Sequence, residues 1–380
     1  NTPLKFGTWS ITTTHPDYFP VQTTLTLDED RPYALTPNLE PKPARLTLDV
    51  SPNVPIRLTL EGTPLQPADP GARVAEYPIE PNTPVVLEAT ARDHYTVRRT
   101  FNLGPNEPHT WDIELVPLPA PVKGEDYTIP YLGIDLAWIA PQADTIGAPL
   151  EEHRRLPVDG PVTPVTLTNG YWLGETEVTQ AQYQAIMGEN PSFHKGPQRP
   201  VTDISWNDAR ACLDKLNQRE GAAGRLPPGY RYRLPTEAEW ETAARGGVDA
   251  PFPWGGNAAP TYANIQGVYP DDFVSDRPDN PIVGTAPVAS YPENNYGLHD
   301  VVGNVREWIR DRYNARLPGK AVTDPTGPDF GERRLYRGGG YESQARNARL
   351  GARGEGASPG TTSPSLGFRV TLGPILEDPS

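Results

Sequence analysis

The residues able to do chemistry in this chain are few and scattered. Cys212 is the only cysteine among 380 residues. A thiol can act as a nucleophile or a soft-metal ligand. A lone one between Ala211 and Leu213 reads instead as a small buried hydrophobe, and it permits no internal disulfide. His15, His94, His109, His153, His194 and His299 stand apart, with no H-x-x-H or H-x-x-x-H pair, so zinc-type ligand spacing is missing. The sequence contains no G-x-S-x-G elbow and no P-loop. The Gly338–Gly340 run is expected on a strand, where glycine serves close packing rather than phosphate cradling.

The chemistry left is that of contact. Arg337 to Val370 reads RGGGYESQARNARLGARGEGASPGTTSPSLGFRV. A glycine-punctuated strand is expected to open it and an LGFRV strand to close it. The middle is mostly small and polar and carries no cysteine or histidine. Rigid elements that present permissive loops commonly bind partners.

Composition narrows the class. Apolar residues make up 36%, yet eight Trp and seventeen Tyr offer large surfaces to bury. With 47 Pro and 35 Gly, a globular but loop-heavy protein is expected. A net charge of −14 disfavours nucleic acid or an anionic membrane as partner. No apolar run reaches the length of a transmembrane helix. Arg far outnumbers Lys, and there is one Met; the expectation is a heat-tolerant or GC-rich source.

The elements that must position the contact stretch follow from patterning. Residues 1–42 form an N-terminal extension with one expected strand at Val21–Leu27. In 43–117 the apolar residues alternate: Leu46/Leu48/Val50, Ile56/Leu58/Leu60 and Trp111/Ile113/Leu115. Period-two spacing broken by turn residues predicts a small all-β sandwich. Leu58-Thr-Leu-Glu-Gly62 resembles the strand-turn of PEGA-type β-domains, which implies a spacer or adhesion accessory. Residues 118–126 read as a linker, stiffened by the prolines of Pro117-Leu-Pro-Ala-Pro121 at its boundary. From 127 to 380 a second domain is expected. Thr179-Gln-Ala-Gln182, Ser205 with Asp208, and Thr236-Glu-Ala-Glu239 are helix-start signals, because each hydroxyl can satisfy an orphan N–H while the third residue on reaches back.

Seven motifs in order carry a resemblance. They are Gly170-Tyr-Trp-Leu-Gly-Glu-Thr-Glu-Val-Thr-Gln-Ala-Gln-Tyr183, Pro200-Val-Thr-Asp-Ile-Ser-Trp206, Tyr232-Arg-Leu-Pro-Thr-Glu-Ala-Glu-Trp240, Pro253-Trp-Gly255, Gly297-Leu-His-Asp-Val-Val-Gly-Asn-Val-Arg-Glu-Trp308, Arg337-Gly-Gly339 and Gly367-Phe-Arg369. Together they resemble the formylglycine-generating (sulfatase-modifying) enzyme family. The resemblance implies an α+β, C-type-lectin-like fold of the formylglycine-generating-enzyme type, loop-rich, preceded by the small all-β sandwich-like domain. Those enzymes bind copper through a cysteine pair between the RGG and GFR motifs. This chain has no cysteine there, so the resemblance does not extend to the chemistry.

The same family resemblance places calcium near Asn264 and Asn280, and at a second site near Asp300, Asn304 and Glu307. Oxygen ligands on loops suit calcium. The same groups would also serve as turn caps and arginine partners, and both readings stand at this point. No cofactor is required. Arg346, Arg349 and Arg353 fit the family pattern as ties between irregular backbone and carboxylates, with substrate binding as the second reading.

The C-terminal stretch is also similar to the variable regions of diversity-generating-retroelement target proteins, in which adenine-rich codons are randomised. That resemblance makes Arg337–Gly339, Arg346, Arg349, Arg353 and Gly367–Arg369 a frame. The changeable ligand-binding positions are then Tyr341, Glu342, Ser343, Gln344, Gly354, Glu355, Gly356, Ala357, Ser358, Gly360, Thr361, Thr362, Ser363, Pro364 and Ser365. It implies a non-enzymatic display protein whose partner is a protein or glycan on another surface, in a phage-associated or cell-surface setting. The alternatives are a family oxidoreductase with altered chemistry and a fixed structural accessory.

Overall fold

A computed structural model describes residues 7–27, 37–51, 53–67, 75–257, 260–266 and 284–377. The chain divides into two compact units, Asn1–Leu118 and Pro119–Ser380.

In the first unit, Gly7–His15 and Tyr18–Leu27 pair as an antiparallel hairpin. The expected Val21–Leu27 strand is therefore longer and has a partner that alternation did not reveal. Two sheets follow. One orders Glu76–Ile79, Ala44–Ser51 and Pro108–Glu114; the other orders Thr63–Pro64, Ile56–Leu60, Val85–Ala91 and Val97–Phe101. Leu46, Trp111 and Ile113 from the first sheet share a core with Leu58, Leu87 and Phe101 from the second. This is the sandwich that the period-two pattern predicts, since each strand buries alternate side chains. Glu61 and Gly62 both have positive φ, 48° and 79°, so the resemblance-bearing strand-turn is a tight hairpin turn.

In the second unit, a five-stranded sheet runs Tyr127–Ile129, Ile134–Ile139, Tyr171–Gly174, Thr371–Pro374, Tyr230–Arg233. The last strand of the chain thus lies inside the sheet. Packing begins ahead of Tyr127: Trp172 Nε1 donates to Glu125 O at 2.8 Å and Trp138 N to Asp126 Oδ1 at 2.8 Å. Among the described residues, three α-helices start where their caps predict. α1 is Gln180–Met187, α2 is Trp206–Ala222 and α3 is Glu237–Arg245, with reciprocal capping boxes at Thr179, Ser205 and Thr236.

A three-stranded sheet positions the contact stretch. Arg306–Arg312 lies between Arg334–Arg337, antiparallel, and Leu366–Gly367, parallel. The two ends of the stretch therefore flank one buried strand. Gly338–Gly340 is not on the strand, which ends at Arg337. Gly338 and Gly339 have φ of 88° and 72°, so they turn the chain away. Close packing remains their role: a side chain on Gly339 would come within 2.7 Å of the Ala348 Cβ. Trp308 is fully buried and donates to Ile204 O at 3.2 Å, which makes it core rather than the floor of a site. No helix among the described residues is long and apolar enough to cross a membrane.

Candidate binding site

The frame is a set of buried arginines, each held by carboxylates. Arg337 donates to Glu237 Oε1 at 2.7 Å, to Glu241 Oε2 at 2.6 Å and to Leu350 O. Arg349 donates to Asp159 Oδ2 at 2.8 Å, to Glu152 and to Arg346 O. Arg353 donates to both Glu237 oxygens, at 2.6 and 3.0 Å, and to Val158 O and Asn314 O at 2.9 Å. Arg369 grips both oxygens of Glu307, at 2.9 and 2.8 Å. Planar guanidinium forks can satisfy several acceptors at fixed angles, which suits a region with little regular ladder. Burial pushes the Glu241 carboxyl up, but Arg337 and Arg245 outweigh it and hold the group below its usual range.

This frame encloses a cleft of about 340 Å³. Ser343, Gly354 and Glu355 line it, together with Arg306, Tyr336, Asn347, Leu156 and Val158. The two sets of expected contact positions meet through Glu342 Oε1, which accepts from Arg306 Nη2 at 2.7 Å and from Ser365 Oγ at 2.7 Å. Arg306 and Asn347 are site residues that sequence reasoning missed. Both lie close to the RGG…GFR segment or within it, and neither carried a local signal of exposure.

The expected positions separate by environment. Glu342, Glu355, Ser358, Gly360, Thr361 and Thr362 are exposed, while Tyr341, Gln344, Gly354, Gly356, Ala357, Ser363 and Pro364 are half-buried. Ser343 and Ser365 are buried and belong to the frame. Ser343 Oγ accepts from Gly340 N at 3.0 Å, and Ser365 bonds to Glu342. Gly354 and Gly356 also lack room to change. A side chain on Gly354 would meet Tyr336 at 2.3 Å; one on Gly356, where φ is +66°, would meet Arg334 O at 2.9 Å. Tyr341 packs edge-on against His194, with ring centroids 5.6 Å apart and Tyr341 Oη 3.3 Å from His194 Nε2. Beside them Phe193 is 74% exposed, which extends an aromatic edge beyond the stretch itself.

The described residues of the two calcium sites that the resemblance implies have protein partners in the fold. Glu307 has both oxygens on Arg369, and Oε2 also accepts from Trp240 Nε1 at 2.7 Å. Asn264 is buried and donates to Gly284 O at 2.9 Å. Asn304 Oδ1 accepts from Ala286 N at 2.8 Å. Asn280 lies outside the described residues. Asp300 alone keeps an oxygen, Oδ1, with no hydrogen-bond partner. Glu307 thus serves as an arginine partner. Cys212 is buried, and burial pushes its thiol up to about 12, which suits a hydrophobe and not a nucleophile.

Comparison with known proteins agrees with this geometry. Residues 142–373 match the sulfatase-modifying factor enzyme 1-like domain. The chain is 35% identical over 236 residues to the formylglycine-generating enzyme of Thermomonospora curvata, covering 59% of this chain and 71% of that protein. It is 33% identical over 211 residues to the inactive C-alpha-formylglycine-generating enzyme 2 of Bos taurus, covering 53% and 59%. Among solved structures, Treponema denticola variable protein 1 aligns with a TM-score of 0.54 at 28% identity, over 66% of this chain and 99% of its own. The match spans most of the second unit, and the chain belongs to the sulfatase-modifying factor enzyme 1-like family.

Proposed function

We propose that this chain is a non-enzymatic ligand-binding protein that displays changeable side chains on its Arg337–Val370 face, diversified by a retroelement. The observation that carries this reading is the separation of roles within one stretch. Arginines 337, 349, 353 and 369 are buried and paired, while Glu355, Ser358, Gly360, Thr361 and Thr362 face solvent. Outward substitutions on such a frame cost little stability. Small polar residues around an aromatic edge resemble antibody-type contact surfaces. The likeness to a solved variable protein supports the same reading, and the ligand class is a protein or glycan surface.

A second reading, a family oxidoreductase with altered chemistry, is favoured by the 35% identity to a formylglycine-generating enzyme. The Arg337–Val370 stretch holds no thiol, and soft copper sites need thiolate. Incubation with a cysteine-bearing sulfatase peptide and copper is expected to give no formylglycine; product would establish the second reading. For the display reading, the test is the DNA beside the coding sequence. A near-copy of the 337–370 coding stretch, differing at adenines and close to a reverse transcriptase, is expected. A fixed stretch, identical across isolates and without such a copy, would instead mark a structural accessory.

A further inference from the structure

A second cleft, of about 650 Å³, adjoins the buried arginine frame. Arg353 lines both clefts, so the two share a wall. The volume falls within the roughly 300–1,000 Å³ range of small-molecule sites. Two guanidiniums of this cleft differ from those of the frame. Arg312 spends Nη1 on Gly331 O at 2.6 Å. Its Nε is buried and has no hydrogen-bond partner. Neither Arg312 nor Arg316 meets a carboxylate among the described residues. The two carboxylates of the lining are engaged elsewhere: Glu237 by Arg337 and Arg353, and Asp324 by the N–H and hydroxyl of Thr168. Arg312, Arg316 and Arg353 against Glu237 and Asp324 leave the lining positive, in a chain whose net charge is −14.

The Nε–Nη2 edge of a guanidinium matches the two oxygens of a carboxylate. A buried N–H without an acceptor is costly, and a ligand oxygen at the Arg312 edge would remove that cost. The rest of the lining is neutral. Asn314 Nδ2 and the hydroxyls of Thr323 and Thr326 make no protein hydrogen bond among the described residues. Pro318, Pro325 and Pro328 supply flat apolar faces. Neutral polar groups beside such faces suit a sugar ring, which has hydroxyls at its rim and C–H groups on its faces. We propose that this cleft binds an acidic saccharide, with its carboxylate on Arg312 and Arg316 and its hydroxyls on Asn314, Thr323 and Thr326. None of these residues belongs to the Arg337–Val370 stretch, so the site stands whether or not that stretch is diversified.

The test is calorimetry on the full chain, titrated separately with digalacturonate, the neutral disaccharide galactobiose, the dipeptide Glu-Glu and sodium sulfate. One digalacturonate should bind per chain, and the other three should bind more weakly by about 10-fold or more. Arg312→Gln and Arg316→Gln should each lower digalacturonate affinity about 10-fold. Arg316 is exposed, so its variant should keep the parental melting temperature and covers the case in which Arg312→Gln fails to fold. Lys320→Gln removes an exposed charge outside the lining and should bind as the parent does. Absence of digalacturonate binding overturns the proposal, and so does equal binding of Glu-Glu or sulfate. Affinity that survives Arg316→Gln, or that falls as much with Lys320→Gln, would also overturn it, because the charge would then act without a site.

Discussion

Arg337 Nη2 donates to Glu241 Oε2 at 2.6 Å with both side chains shut off from solvent. The contact joins the RGG motif to α3, 96 residues away in sequence. Removing one member of a buried ion pair typically costs about 3–5 kcal/mol, because the other charge is left uncompensated. Arg337→Met should therefore lose several kcal/mol in urea unfolding, and Arg337→Lys should recover only part, since an ammonium cannot fork between Glu237 and Glu241. Wild-type stability in both variants would refute the frame role.

Glu241 and Asp311 set opposite acid and base limits. Glu241 titrates below its usual value in the fold, so its contribution is present above the unfolded pKa and disappears as pH falls through the folded one. Asp311 is pushed up to about 7 by burial and then by the neighbouring Glu237 charge. A raised folded pKa means that its contribution is full below the unfolded value of 3.8 and disappears as pH rises through 7. Asp311→Asn should remove that decline, about 1.4 kcal/mol per pH unit at its steepest. The melting temperature of the variant should overtake wild type between pH 5 and pH 8. Parallel curves for the two proteins would contradict the assignment.

Sequence patterning located what is decided locally. Capping boxes at Thr179, Ser205 and Thr236 could be read because their chemistry spans three residues. The sandwich strands could be read because their burial alternates. The Gly7–His15 strand could not, since Thr12 to Thr14 breaks the apolar alternation. Ser343 and Ser365 were expected to face outward with their Ser and Thr neighbours. Their burial depends on the turn after Arg337 and on Arg306, which no short window reveals. The arginine partner of Glu307 lies 62 residues away, so that pairing is a tertiary fact.

The glycines of the stretch should divide sharply. Gly354→Ser and Gly356→Ser should destabilise by about 1–3 kcal/mol through overpacking and left-handed strain. A Cβ at Gly360 meets nothing within 4 Å, and Gly360→Ser should stay within about 0.5 kcal/mol of the parent. Equal losses at all three positions would remove the distinction between frame and face.

Cys212 should be inert in the folded protein. Burial holds its thiol near 12, and only the thiolate reacts at a useful rate. A thiol reagent at pH 8 should label it no faster than the chain unfolds, and labelling should reach one equivalent in denaturant. Rapid native labelling would mean an accessible, activated cysteine.

The central claim is that this face accepts new side chains and binds with them. The direct measurement is a library randomised together at Gln344, Glu355, Ser358, Gly360, Thr361 and Thr362, displayed on yeast and selected against one immobilised protein target. The account predicts that most members stay folded, with melting temperatures within a few degrees of the parent. It also predicts that selection yields binders whose affinity is lost when the parental residues are restored. A library that is mostly unfolded, or a folded library that yields no binder, would contradict it.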